Sequence, residues 1–164
     1  MRRCEQAGAT IGALAVSFVC IDSMSYLSMP TDKPKHNRSD FIAWVDRYLR
    51  ADPSQPYQYR GIDVYAARCG LLHAFTAEAD LHRKDPSIYQ FIYNDGGQHA
   101  LAEDQVPKVA MIGTASFFND LAHAVLDFLD AAERDLQLRS LVESRLPLVY
   151  KTVPINQLGI SRLP

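Results

Sequence analysis

The chain has 164 residues, 48% of them hydrophobic and 22% charged, enough apolar side chain to bury one core, so a single domain is expected over residues 1–164. With 17 Lys+Arg against 19 Asp+Glu and a formal net charge of −2, nucleic-acid binding driven by overall positive charge is excluded, and any phosphate contact must be local. Three cysteines, Cys4, Cys20 and Cys69, form no Cys-x-x-Cys pair, and two fall in apolar helical patterns; the expectation is reduced, buried thiols in a cytoplasmic protein, not a disulfide framework.

Met1-Arg-Arg followed by the apolar stretch Ala7 to Ile21 has the outline of a signal peptide. Glu5 and Gln6 interrupt that outline, and about 15 residues are too few to span a bilayer. Ile11, Leu14, Phe18, Ile21 and Ser25 recur at three- and four-residue steps, which predicts a soluble helix burying one stripe. Ser39 then reads as the N-cap of a second helix with Phe41, Trp44, Val45, Tyr48 and Leu49 on its inner face, ending before Asp52-Pro53. A linker from Ala51 to Tyr59 leads into a third helix, Gly61 to Phe75.

After Phe75 the chain turns polar, from Thr76 to Pro86. Ile88 to Tyr93 reads as a strand stopped by Asn94-Asp-Gly-Gly97, with Val106 to Ile112 as its hairpin partner and Gln98 to Gln105 unassigned. One long helix from about Ser116 to about Arg145 carries Phe117, Leu121, Val125, Phe128, Ala132 and Leu136 on its inner stripe. An extended tail is expected over about 147–164. The sum is a mainly all-α protein: a bundle of four main helices with a small β-hairpin insertion, about 76–113, between the third and fourth.

The third helix carries the clearest functional clue. It is almost wholly apolar, yet it holds the guanidinium of Arg68 and the imidazole of His73, which have little reason to lie on a core-facing helix unless something pairs with them. On an ideal helix residues five apart point about 140° from each other, so the two side chains do not meet on one straight helix. A helix that ends or distorts near His73, with Gly70 as the weak point, would bring them together, and a second subunit supplying the complementary residue would do so better.

Arg68-Cys-Gly-Leu-Leu-His73 resembles the Arg, four residues, His pattern of the HEPN superfamily. Tyr65 to His73 is similar to uncharacterised bacterial members that read Tyr-x-x-Arg-Cys-Gly-x-Leu-His. The resemblance covers the bundle, residues 10 to 145, and implies a four- or five-helix HEPN-like fold. It also implies metal-independent RNA cleavage at the two-fold interface of a homodimer, with no cofactor. In that chemistry His73 is the general base or acid at the ribose 2′-hydroxyl and the leaving oxygen, and Arg68 holds the phosphate. The implied partners are a second copy of the chain, an RNA substrate and a protein such as an antitoxin, with no membrane.

A noncatalytic alternative stands beside this one. In it Arg68 pairs with a carboxylate such as Asp22 or Asp63, His73 caps a helix end or bonds a backbone carbonyl, and the domain is an interaction or ligand-binding module. Other groupings read more simply as structure. His73, Glu78 and His82 lack the spacing of a metal face. His123 and Asp127, with Asn119 and Asp130, have no nucleophile beside them. The basic stretches Lys33 to Arg38 and His82 to Lys84 read as solvated loops, and Tyr89, Phe91 and Tyr93 as a packed strand face.

Overall fold

The computed structural model describes Cys4 and residues 7–149 of the chain. Among these residues six α-helices accompany a three-stranded mixed sheet, so the expected all-α bundle with a hairpin is corrected to a mixed α/β fold in which helix dominates. The order is α1 (Thr10–Leu27), α2 (Arg38–Tyr48), α3 (Gly61–Cys69), a π-helical turn (Gly70–Ala74), α4 (Asp80–Lys84), β1 (Gln90–Asn94), β2 (Ala100–Ala102), β3 (Val109–Gly113), α5 (Thr114–Arg134) and α6 (Leu136–Val149).

By length and composition α1 matches a membrane span. In the fold its stripe of Leu14, Phe18, Ile21 and Ser25 is buried, and the helix packs on α2, α5 and α6. Ile11, expected on that stripe, faces outward. The α2 cap is Asn37 rather than Ser39: the Asn37 side chain accepts from the Ser39 N–H at 2.8 Å, and the Asp40 carboxylate accepts from the Asn37 N–H at 3.0 Å. That reciprocal pairing satisfies two N–H groups at the α2 start. The inner face of α2 is buried as expected, with Phe41, Val45 and Leu49 fully enclosed.

The hairpin expectation fails for a topological reason. Residues 95–108 are long enough for a crossover, and β3 returns alongside β1 in the same direction, pairing Gln90 with Val109 and Asn94 with Gly113. The unassigned stretch supplies β2, which pairs antiparallel with the far edge of β3. β3 is thus central, and its near-continuous burial follows. Tyr89 and Phe91 are packed inward, with the Tyr57 ring at 5.6 and 5.7 Å from theirs.

The long terminal helix is two helices. Asp135 leaves the helical conformation, and its carboxylate accepts from the Gln137 and Leu138 N–H groups, capping α6. The break turns Leu136 outward and seats Leu138 in the core. Helix α6 runs through Pro147 to Val149, where a tail was expected to begin; residues 150–164 of that tail lie outside the described residues.

A buried polar network joins the linker, the sheet and α5. The Tyr59 hydroxyl donates to Asp120 Oδ2 at 3.0 Å and so accepts from His99 Nε2 at 2.8 Å, while His99 Nδ1 accepts from the Gly113 N–H at 3.1 Å. With Nδ1 accepting and Nε2 donating, His99 is neutral, and burial holds its pKa below the ordinary 6.5. The folded protein then binds fewer protons than the unfolded chain, so the stability His99 contributes is complete above about pH 6.5 and is lost as pH falls through the folded value. Asp120, whose pKa burial raises, works in the opposite sense at lower pH. Between about pH 7.5 and about pH 6, the melting temperature is expected to fall more for the wild type than for His99→Gln, which carries no titrating group; equal falls would contradict this.

Candidate functional site

Arg68 lies in the last turn of α3, where the helix changes character. From Gly70 the backbone bonds reach further back than in an α-helix, and the Thr76 N–H closes on the Gly70 carbonyl at 3.1 Å. In such a widened turn residues five apart come closer to lying one above the other. Arg68 Nη1 therefore reaches His73 Nε2 at 2.8 Å, within one chain. A second subunit, favoured on geometric grounds in the sequence, is not needed to bring the pair together.

Gly70 permits this path, because a Cβ there would stand 2.5 Å from the Thr76 carbonyl oxygen. Phe75 ends the turn at φ 51°, a left-handed conformation uncommon for a bulky side chain, and its ring is 79% exposed. Such backbone is kept where the surroundings enforce it, and it clusters at functional sites.

The rest of the Arg68 guanidinium faces α1. Nε and Nη2 both donate to Asp22 Oδ2, at 3.0 and 2.9 Å. One of the two carboxylates anticipated as partners is thus the observed one; the other, Asp63, is engaged by Arg60 instead. Because a guanidinium only donates, His73 Nε2 accepts, and the ring presents an unprotonated Nε2 at an exposed position. Behind Asp22, Ser25 Oγ donates to the Asp22 carbonyl and accepts from His36 Nε2 at 2.8 Å. Burial pushes the His36 pKa down, against the opposing pull of Asp22 and Asp40.

His73 stands at the rim of a cleft of about 450 Å³ whose lining includes Arg38, Tyr65, Cys69, Glu78, Asp80 and Leu81. That volume is in the range of small-ligand sites. The stretch expected as a solvated basic loop is in part anchored: Lys33 pairs with the buried Asp40 and His36 bonds Ser25, whereas Arg38 is exposed at the cleft. Asp22 was one of two carboxylates offered for Arg68, and its ion pair across from α1 selects it; Tyr65, in the matched stretch of α3, lines the cleft.

The other groupings do not assemble. His82 is buried, with Nδ1 accepting from the Ala79 N–H at 2.9 Å and Nε2 donating to the Tyr89 carbonyl at 3.2 Å, so it fixes α4 against β1. Among the described residues no group of three or more His, Cys, Asp or Glu side chains is placed to hold a metal ion. His123 lies 3.4 Å from the Asn119 amide on an exposed face of α5, and Asp130 is near Arg134. The three cysteines are free thiols, half-buried rather than buried.

No family model, curated protein or solved structure matches the chain. The geometry around Arg68 and His73 therefore carries the functional argument.

Proposed function

We propose that the chain is a HEPN-like endoribonuclease, cleaving RNA without a metal at a homodimer interface, with Arg68 and His73 as its catalytic residues. The observation that supports this most is the 2.8 Å approach of Arg68 Nη1 to an exposed His73 Nε2 at the rim of a cleft. Asp22 occupies Nε and Nη2, which fixes the guanidinium plane and leaves Nη1 directed at the site. A scissile phosphate entering there takes the Nη1 hydrogen bond and releases the His73 lone pair.

His73 Nε2 then accepts the proton of the ribose 2′-hydroxyl as the 2′-oxygen bonds to phosphorus. The bond to the 5′-oxygen of the next nucleotide breaks, and that oxygen takes a proton from an imidazolium, which the second copy of His73 supplies in a dimer. The products are a 2′,3′-cyclic phosphate and a 5′-hydroxyl. Arg68 offsets the charge that grows on the phosphoryl oxygens.

One observation favours a second reading. The Asp22–Arg68 pair ties α1 to α3, as a structural brace would in a noncatalytic module that binds a protein partner, such as an antitoxin, or a nucleotide-like ligand. The two readings separate by variant. If His73 is catalytic, His73→Ala lowers single-stranded RNA cleavage in EDTA by about 100-fold or more and leaves the melting temperature unchanged, because the ring is exposed. If the pair is only a brace, RNA stays intact at high protein concentration and Arg68→Ala lowers the melting temperature.

A further inference from the structure

The cleft beside His73 is lined by a cation that the cleavage chemistry does not use. Arg38 is the first residue of α2, is exposed, and lines the same cleft as His73, Tyr65 and Cys69. Among the described residues its guanidinium has no carboxylate, carbonyl or aromatic partner, whereas Arg60, Arg68, Arg83, Arg134 and Arg145 each have one. Its position also opposes the fold's own electrostatics, since a cation in the first turn of a helix faces the positive end of the helix dipole. Arg139 is likewise exposed and without such a partner among the described residues, but it does not line the cleft; the place in the cleft is what sets Arg38 apart.

The remaining charges of the cleft are distributed unevenly. Glu78 and Asp80 stand on the α4 side, where Arg83 engages both carboxylates. Tyr65 lines the cleft with Arg38: burial pushes its hydroxyl pKa up, and the Arg68 and Arg38 charges oppose that push. An anion entering the cleft thus meets Arg38 and His73, which Arg68 holds by a hydrogen bond, and acids that Arg83 already engages.

We propose that Arg38 is a substrate-positioning residue that binds the backbone phosphate adjacent to the scissile one, so that the cleft takes two successive phosphates of a single RNA strand. The inference rests on the cleavage reading above for the identity of the strand, and on the unpartnered guanidinium for the phosphate contact. A guanidinium binds a phosphate through paired N–H donors, so a lysine replaces it only in part.

The test is calorimetric titration of the full chain with adenosine 3′-monophosphate, and with adenosine as the phosphate-free control. The wild type is expected to bind the nucleotide and not adenosine, with affinity about tenfold weaker in Arg38→Ala and intermediate in Arg38→Lys. Arg38→Ala is expected to melt at the wild-type temperature, because no partner is lost. Equal nucleotide affinity in wild type and Arg38→Ala, or no binding to the wild type at millimolar probe, would overturn the inference. RNA cleavage is scored separately: Arg38-dependent binding with uncleaved RNA supports the phosphate contact and sinks only the nuclease reading. Cleavage that depends on His73 with KM unchanged in Arg38→Ala sinks only the role of Arg38.

Discussion

Gly70→Ala is expected to destabilise the protein by about 2 kcal/mol and to abolish the Arg68–His73 contact. In an ordinary helix the same change stabilises by up to about 1 kcal/mol, because alanine restricts the unfolded chain and favours the helix. Here the added methyl would stand 2.5 Å from the Thr76 carbonyl oxygen and 3.3 Å from that of Glu78, both backbone atoms that follow the turn. The segment must then unwrap from Gly70, and a turn that relaxes toward α-helical geometry returns the two side chains to opposite sides. Urea denaturation reads the sign directly, and loss of RNA cleavage is expected with it. Unchanged or raised stability would mean that the π-helical turn is not what holds this segment.

The largest stability effect is expected at Asp63. Its carboxylate is fully buried and accepts four hydrogen bonds: from the Tyr57 hydroxyl at 2.8 Å, from Arg60 Nε and Nη2 at 2.6 Å each, and from the Tyr89 N–H at 3.0 Å. These bonds tie the linker before α3, α3 itself and the residue that leads into β1. Asp63→Ala strands the buried Tyr57 hydroxyl and the Tyr89 N–H and frees a half-exposed guanidinium, a loss of about 3 kcal/mol or more. The melting temperature should fall by roughly 10 °C for a domain of this size. Thermal unfolding followed by circular dichroism checks it, and a fall of under about 2 °C would show that the network contributes little.

The residues explain what was legible in the sequence. Apolar periodicity located α1, the inner face of α2 and most of α5, because a stripe at 3.6-residue spacing has one way to bury itself. It did not show the break at Asp135, where one carboxylate caps a new helix inside a pattern that otherwise continues. The sheet was misread because strand direction depends on the crossover, and the Asn94–Gly97 turn signal does not tell a hairpin from the start of a longer loop. Helix α4 was hidden in five mostly polar residues, held by a side chain, His82, that bonds its own N-terminus.

At the site, Arg68, His73 and the weak point at Gly70 were all readable, and Asp22 was one of two named partners for the arginine. The hydrogen bond between Arg68 and His73 within one chain was not. It depends on a turn wider than α-helical, and Gly70 alone did not show that the chain would adopt it. Arg38 was obscured for another reason: a basic stretch gives no sign of which of its cations finds a carboxylate and which is left facing a cleft.

The central claim is that the Arg68–His73 pair transfers a phosphoryl group by way of the ribose 2′-hydroxyl. The most direct measurement incubates purified protein with a 5′-labelled single-stranded RNA in EDTA and identifies the new 3′ ends. The account predicts 2′,3′-cyclic phosphate ends from the wild type, none from His73→Ala, and no cut at a position where a 2′-deoxynucleotide replaces the ribonucleotide. RNA that remains whole at high protein concentration, or cuts that persist in His73→Ala or at the deoxy position, would contradict it.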